Sequence, residues 1–323
     1  MKASRVVVGL SGGVDSSVAA HLLKEEGYDV VGLFMKNWED QQGVLTSNCT
    51  WEDDLMFAEM AAKKLNIPLR FVDFSKEYRQ RVVDYMFREY QRGRTPNPDV
   101  LCNREVKFDL FAREAEKLGA DFIATGHYCK KKTTVIDGKE VHSLLAGDDT
   151  NKEQSYFLCQ ISQEQLSKAL FPLGDIHKPQ VRELAGKLGL ATATRKDSQG
   201  ICFIGKVDLP EFLQQKLSKK KGHIINIDPA KMVGVNGRPD TPVEEICRPY
   251  EFGRMEGTKV GTHNGAHFFT VGQRKGLNVG GTKEPLYVLN VDTEHNIVYT
   301  GEGKDHPGLF RKGLFVPAQD IHW

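Results

Sequence analysis

Apolar residues in the first 130 positions alternate between short β-branched runs and stretches where they recur every three or four residues. Val6, Val7 and Val8 with Leu10 form a run suited to a strand buried on both faces, and residues 14–23 (VDSSVAAHLL) carry apolar side chains at helical spacing. A second strand is predicted over 29–35 (DVVGLFM), a helix closing over 60–65, and a third strand over 69–73. Helices follow over 78–91 and 105–118, and then a fourth strand over 121–125 (DFIAT) ending at Gly126-His127-Tyr128. This alternation predicts an α/β fold, a doubly wound parallel sheet with helices on both faces. In such sheets ligands sit at the carboxyl ends of the strands, where the turn after Gly9, Met35 and Gly126-His127 all fall.

Further on the pattern loosens. Residues 130–145 contain Val135-Ile136-Asp137-Gly138, a hairpin signal, and 148–154 read as a polar surface loop. Helical stretches recur near 156–160, 164–170, 180–188 and 208–217. Beyond them glycine and proline become frequent, and short strands are predicted at 223–227, 267–271, 286–291 and 296–299. We expect a catalytic α/β domain over 1–206, a small central β-rich domain over 207–283, and the start of a C-terminal β-barrel domain over 284–323.

The turn after the first strand, Ser11-Gly12-Gly13, delivers backbone N–H groups to a helix N-terminus, which is an anion-binding geometry. Glycines allow close approach, and the hydroxyls of Ser11, Ser16 and Ser17 add donors. No lysine follows, so the loop is neither GxxxxGK[ST] nor GxGxxG. SGGVDSS resembles the pyrophosphate-binding loop of the ATP pyrophosphatases, which cleave ATP between the α- and β-phosphates to adenylate a substrate.

Composition is that of an ordinary globular chain of 323 residues, 40% hydrophobic and 27% charged. No apolar run approaches a membrane span and the N-terminus leads straight into a strand, so we expect a soluble cytoplasmic protein. A net charge of +1 gives no bulk attraction for nucleic acid, but basic clusters at Arg92/Arg94, Lys130 to Lys132, Arg195/Lys196, Lys219 to Lys221 and Arg274/Lys275 together suit RNA. The six cysteines (49, 102, 129, 159, 202 and 247) contain no CxxC pair, which argues against structural zinc and against a disulfide framework. Two of them stand in polar segments that invite chemistry. Residues 92–103 (RGRTPNPDVLCN) hold Cys102 in a stretch that supports no regular element, and 195–205 (RKDSQGICFIG) hold Cys202 beside Arg195 and Lys196, charges that would lower a thiol pKa.

Set beside the ATP loop, these cysteine segments complete a series: GLSGGVDSS at Gly9, GLFMKNW at Gly32, GRTPNPDVLCN at Gly93, ATGHY at Ala124, NKEQSYFL at Asn151, KDSQGICFIG at Lys196 and FTVGQRKGL at Phe269. The chain resembles, from end to end, the tRNA-specific 2-thiouridylases of the MnmA family. The resemblance implies an adenine nucleotide alpha hydrolase-like first domain that sulfurates a wobble uridine. ATP would lie on Gly9, Leu10, Ser11, Gly12, Gly13, Val14, Asp15 and Ser16, with Met35 and Gly126 at its adenosine end and Mg²⁺ sharing the phosphate charge. The uridine O2 would attack the α-phosphate. Cys202, carrying a persulfide from a cysteine desulfurase or sulfur-relay protein, would then attack C2, and Cys102 would resolve the persulfide, leaving hydrosulfide or a Cys102–Cys202 disulfide. Asp99 would accept a proton, Asn97, Pro98 and Asp99 would hold the flipped base, and His127, Lys152, Glu153 and Gln154 would touch the tRNA. Asp15, the loop's only carboxylate, is expected to order metal or phosphate. Family members continue past the position of Trp323 through a β-barrel portion, and 237–258 reads as an insertion.

Two other enzymatic readings stay open on the sequence. One is a synthetase that adenylates a small molecule, and the other is thiolation of the same tRNA with an iron–sulfur cluster on Cys102 and Cys202 as sulfur carrier.

Overall fold

In the computed structural model, residues 3–38, 51–197, 209–214, 216–232, 241–248, 250, 252–253 and 257–321 are described. Cys49 and Cys202 lie outside them, as do the expected domain boundary at 206 and part of the 237–258 segment. The chain divides into two compact units, one of Met1–Asp84, Asn97–Asp208 and Trp323, the other of Tyr85–Pro96 and Leu209–His322.

The first unit is built on β1 (Arg5–Gly9), α1 (Val14–Glu25), β2 (Asp29–Lys36), α2 (Trp51–Leu65) and β3 (Leu69–Asp73). A continuous helical stretch follows as α3 (Ser75–Tyr78), a π-helical segment Arg79–Val83 and α4 (Asp84–Gln91), the last belonging almost wholly to the second unit. After α5 (Pro98–Leu101), a π-helical segment Cys102–Leu110 and α6 (Phe111–Lys117) come β4 (Phe122–Ala124), the antiparallel hairpin β5 (Cys129–Ile136) and β6 (Lys139–Ala146), α7 (Gln163–Ser167), β7 (Ala169–Leu170) and α8 (Lys178–Lys187). The sheet order is β3-β2-β1-β4-β7, all parallel, so the chain winds outward in both directions from β1, as the alternation requires. Val6, Val7 and Val8 are fully buried because β1 is central; Arg70 and Phe71 are exposed because β3 is an edge.

Val6 and Val8 enter a core with Val18, Ala19 and Leu23 of α1, Ala58 and Ala62 of α2, and Val181 and Ala185 of α8. The alternation of a strand sends Val7 to the opposite face. On that face Phe111, fully buried at the start of α6, reaches towards Gly9 and Met35. Among the described residues no helix is long and apolar enough to cross a membrane.

The second unit contains α9 (Leu209–Leu213), β8 (Gly222–Ile227), α10 (Val243–Ile246), β9 (Gly257–His263), β10 (Leu286–Asp292) and β11 (Ile297–Glu302), with its four strands in the order β10-β11-β8-β9. Strands from both sides of position 284 therefore share one sheet. Residues 85–96 belong here because Phe87 stacks on Phe212 at 5.6 Å and Thr95 Oγ1 lies 2.9 Å from Thr270 Oγ1. The strand predicted at 267–271 is absent: a 3₁₀ turn, Ala266–Phe268, stands there after Gly265, whose φ of +149° turns the chain. The strand is instead β9, whose sequence GTKVGTH hides it with glycines; a Cβ on Gly257 would come within 2.5 Å of Asn226 O on β8.

Phe111→Ala leaves a cavity beneath the end of β1 and is expected to lower stability by about 3–5 kcal/mol in chemical denaturation.

Candidate active site

The loop after β1 is shaped before any ligand arrives. Ser16 Oγ donates to Gly13 O at 3.1 Å, accepts from Ser11 N at 3.2 Å and lies 3.2 Å from Ser11 Oγ, while Ser17 Oγ donates to Gly13 O at 2.9 Å. Leu10 and Val14 are buried in the core, so they can face a nucleotide only through their backbone. Gly12 has φ +75°, and a Cβ there would meet the Asp54 carbonyl of α2 at 2.2 Å. Gly126 is equally constrained, since its Cβ would lie 2.9 Å from the backbone of Asp15 and Ser16. Gly9, Met35 and Gly126 thus gather at the carboxyl ends of β1, β2 and β4, where they were expected. At the same edge Asn37 is buried, with its Oδ1 lacking a hydrogen-bond partner.

Asp15 differs from expectation. Both its oxygens accept from Lys178 Nζ, at 2.7 and 2.8 Å, and Oδ1 also accepts from Tyr128 OH at 2.7 Å. Its carboxylate, 31% exposed, is thus held as half of an ion pair. Lys178 is held in turn: its side chain is only 9% exposed, its N–H donates to Asp149 Oδ2 at 2.8 Å, and its Nζ lies 2.8 Å from Asp197 Oδ1. Asp197 further accepts from Lys152 Nζ and Arg182 Nη2, both at 2.7 Å. Burial pushes the Asp197 carboxyl up, but hydrogen bonds from Lys152 and Lys178 hold it at about 2. Burial and Asp15 raise the Tyr128 hydroxyl well above its ordinary value, so it stays a donor.

Lys178 and Tyr128 escaped the sequence reading as site residues. Lys178 precedes Pro179, a helix-start signal that says nothing of which strand the side chain will meet. Arg195, expected to act on the Cys202 thiol, donates to Gly12 O at 2.9 Å, pairs with Asp54 and lies 4.4 Å from the Phe57 ring centroid. It braces the glycine loop against α2.

Cys102 is fully buried and does not sit in an irregular loop. Asn97 caps a helix by accepting from Asp99 N at 3.1 Å and Val100 N at 3.3 Å, and Pro98 at the first position supplies a helical φ without needing a donor. The helix begins seven residues earlier than the expected one, and Cys102 opens its π-helical segment. The next residue, Asn103, donates to Phe157 O at 3.2 Å, tying this helix to the segment after 151–154. Asp99 and Cys102 thus share one capped turn.

The expected tRNA contacts have protein partners. His127 is buried, stacked on Phe108, with Nδ1 2.7 Å from Thr125 Oγ1 and Nε2 3.5 Å from Lys107 Nζ. Burial first, then the Lys107 charge, holds its pKa well below the ordinary value. The neutral ring accepts from Lys107 only as the Nδ1–H tautomer, which donates to Thr125. Gln154 Oε1 accepts from Tyr128 N at 3.2 Å, Glu153 Oε1 from Ser155 N at 2.6 Å, and Lys152 reaches Asp197 while remaining 39% exposed. Cys129 is buried, which raises its thiol pKa, and Cys159 is exposed. Among the described residues no group of three or more His, Cys, Asp or Glu side chains could hold a metal ion.

Gly126→Ala is expected to abolish binding of an ATP analogue, measured by titration calorimetry, while Gly138→Ala, at a hairpin turn with open space, leaves it intact. Asp197 also sets a pH response. Its folded pKa lies below the ordinary 3.8, so its contribution to stability is present above pH 3.8 and is lost as pH falls towards 2. Melting curves of Asp197→Asn and the unmodified chain are therefore expected to converge over that interval.

Comparison with known proteins fits this arrangement. Residues 4–206 match the family described as tRNA methyl transferase HUP domain, and residues 248–302 match tRNA methyl transferase PRC-barrel domain. The tRNA-specific 2-thiouridylase MnmA of Flavobacterium johnsoniae is 57% identical over 99% of this chain and 82% of its own length. That of Christiangramia forsetii is 54% identical over 99% of this chain and 82% of its own. Among solved structures, NMN synthetase from Francisella tularensis aligns over 65% of this chain and 72% of its own with 18% identity and a TM-score of 0.41. The relatives' 54–57% identity extends over nearly the whole chain, glycine loop and Cys102 helix included, and on that ground the chain belongs to the family of the tRNA-specific 2-thiouridylases MnmA.

Proposed function

We propose that this chain activates a tRNA uridine with ATP and replaces its O2 by sulfur, forming 2-thiouridine. The observation that carries the reading is the pairing, in one unit, of a glycine loop braced by its own hydroxyls with the capped Cys102 helix, in a chain 57% identical to a tRNA-specific 2-thiouridylase. Adenylation makes O2 a leaving group: it attacks the α-phosphorus, pyrophosphate departs, and the first-turn amides of α1 with Ser11 and Ser16 take up the charge of the phosphates. The described residues offer Mg²⁺ no ligand cluster, and Asp15 is engaged by Lys178 and Tyr128, so the ion would enter on the phosphates of ATP and no step here depends on a protein-bound metal.

The terminal sulfur of a Cys202 persulfide then attacks C2 and expels AMP. The Cys102 thiolate attacks the inner Cys202 sulfur, breaking the S–S bond: 2-thiouridine leaves and a Cys102–Cys202 disulfide remains, to be reduced before the next turnover. Asp99, three residues away on the same turn, would receive the Cys102 proton. Cys102, fully buried in the structure, must become accessible when substrate is bound. Asn97 and Pro98 would face the base from the helix start, Lys152 would present its exposed side to phosphate, and a cysteine desulfurase or sulfur-relay protein would load Cys202. A wobble position suits the reading, because a loop base can leave its stack at low cost.

The test is single-turnover incubation of unmodified tRNA with ATP, Mg²⁺ and a persulfide donor, followed by nucleoside mass analysis. A gain of one sulfur at the wobble uridine is expected. Cys202→Ser should keep tRNA-dependent pyrophosphate release and lose sulfur transfer; loss of both activities would show that the two steps are not divided as written.

A further inference from the structure

Asp197 joins two loops that the proposed function gives to different substrates. Its Oδ1 accepts from Lys178 Nζ at 2.8 Å, and Lys178 holds Asp15, in the first turn of the nucleotide-loop helix, at 2.7 Å. Its Oδ2 accepts from Lys152 Nζ at 2.7 Å, on the 151–154 segment assigned to tRNA. Arg182 fixes the carboxylate from α8, donating to Oδ1 at 2.7 Å and, through Nη1, to the carbonyls of Ala193 and Arg195 at 2.9 Å. A second strand of contacts runs parallel: Tyr128 OH donates to Asp15, and the Tyr128 backbone exchanges hydrogen bonds with Gln154, Oε1 accepting from Tyr128 N and Gln154 N donating to Tyr128 O, both at 3.2 Å.

One carboxylate thus balances two ammonium groups whose other faces look to different ligands. Lys178 is nearly buried and Lys152 is 39% exposed, so an RNA phosphate can draw on Lys152 while ATP phosphates draw on the Asp15–Lys178 pair. When Lys152 turns to RNA, Asp197 loses one partner and binds Lys178 more tightly. Lys178 then releases part of its hold on Asp15. Ligand at either end changes the charge balance met by the other, and the coupling must be reciprocal.

We propose that Asp197 is a positioning residue that couples tRNA binding at residues 151–154 to nucleotide binding at the Asp15 loop. The inference rests on the reading of this unit as the ATP- and tRNA-binding machinery.

The experiment measures the Kd of a non-hydrolysable ATP analogue with and without saturating unmodified tRNA, on the full chain. In the unmodified protein tRNA is expected to change the analogue's Kd by roughly 5- to 150-fold, the usual span of such couplings. In Asp197→Asn the ratio should collapse to about one, and Asp197→Glu, which keeps the charge, should restore part of it. A merely structural role would lower melting temperature and weaken both ligands without removing their ratio. If Asp197→Asn does not fold, Lys152→Gln cuts the outer arm at an exposed side chain, and the ratio, read at saturating tRNA, must fall likewise. A ratio near one in the unmodified protein, or an unchanged ratio in the variants, overturns the proposal. Failure to bind the ATP analogue or the tRNA at all would instead overturn the functional reading beneath it.

Discussion

The Asp15 carboxylate stands in the first turn of α1, and its ion pair with Lys178 is the contact on which the rest of the site depends. The pair holds both oxygens of the Asp15 carboxylate on Lys178 Nζ and sets the geometry of its neighbours. Tyr128 is oriented by the same oxygen, and Gly126, two residues earlier, must lack a Cβ because the backbone of Asp15 and Ser16 lies against it. The pair is possible only because α8 packs on α1 through Val181 and Ala185, which brings Lys178 at its N-terminus to the loop. A helix late in the chain thus completes a site begun at the first strand.

The second constraint is the capped turn at Asn97. An amide acceptor followed by proline starts a helix where prolines at 96 and 98 would otherwise suggest extended chain, and it places Asp99 and Cys102 three residues apart on one turn. The π-helical segment that begins at Cys102 is a local departure of the kind that collects at functional sites. Burial of Cys102 shields the thiol from adventitious oxidation.

These constraints organise the polar groups into a connected set. Asp15, Lys178, Asp197, Lys152 and Arg182 form a chain of ion pairs in which Asp197 serves three cations and the nearly buried Lys178 is matched by two carboxylates, the condition under which a buried charge is tolerated. The description of the matched families as tRNA methyl transferase domains and the naming of the relatives as 2-thiouridylases differ in the group transferred. The relatives' name, 2-thiouridylase, is the one that accords with a chain carrying a glycine loop and a cysteine on a capped helix.

Much of this was legible in the chain itself, where local rules govern. The β-branched run at Val6 predicted a strand buried on both faces, the glycines after it predicted a turn into a helix start, and the β-α alternation predicted the doubly wound parallel sheet that the structure shows. The motifs around Cys102 and Cys202 identified the family. Local sequence was misleading where a long-range partner overrides propensity. Residues 257–263 pair as a strand because Gly257 lets β8 approach, and 85–96 join the second unit because Phe87 finds Phe212. Only the tertiary structure decided what Asp15 and Arg195 do and that Lys178 belongs to the site at all. A charge's partner is fixed by which helices pack together in space, and no spacing along the chain encodes a contact between residues 15, 178 and 197.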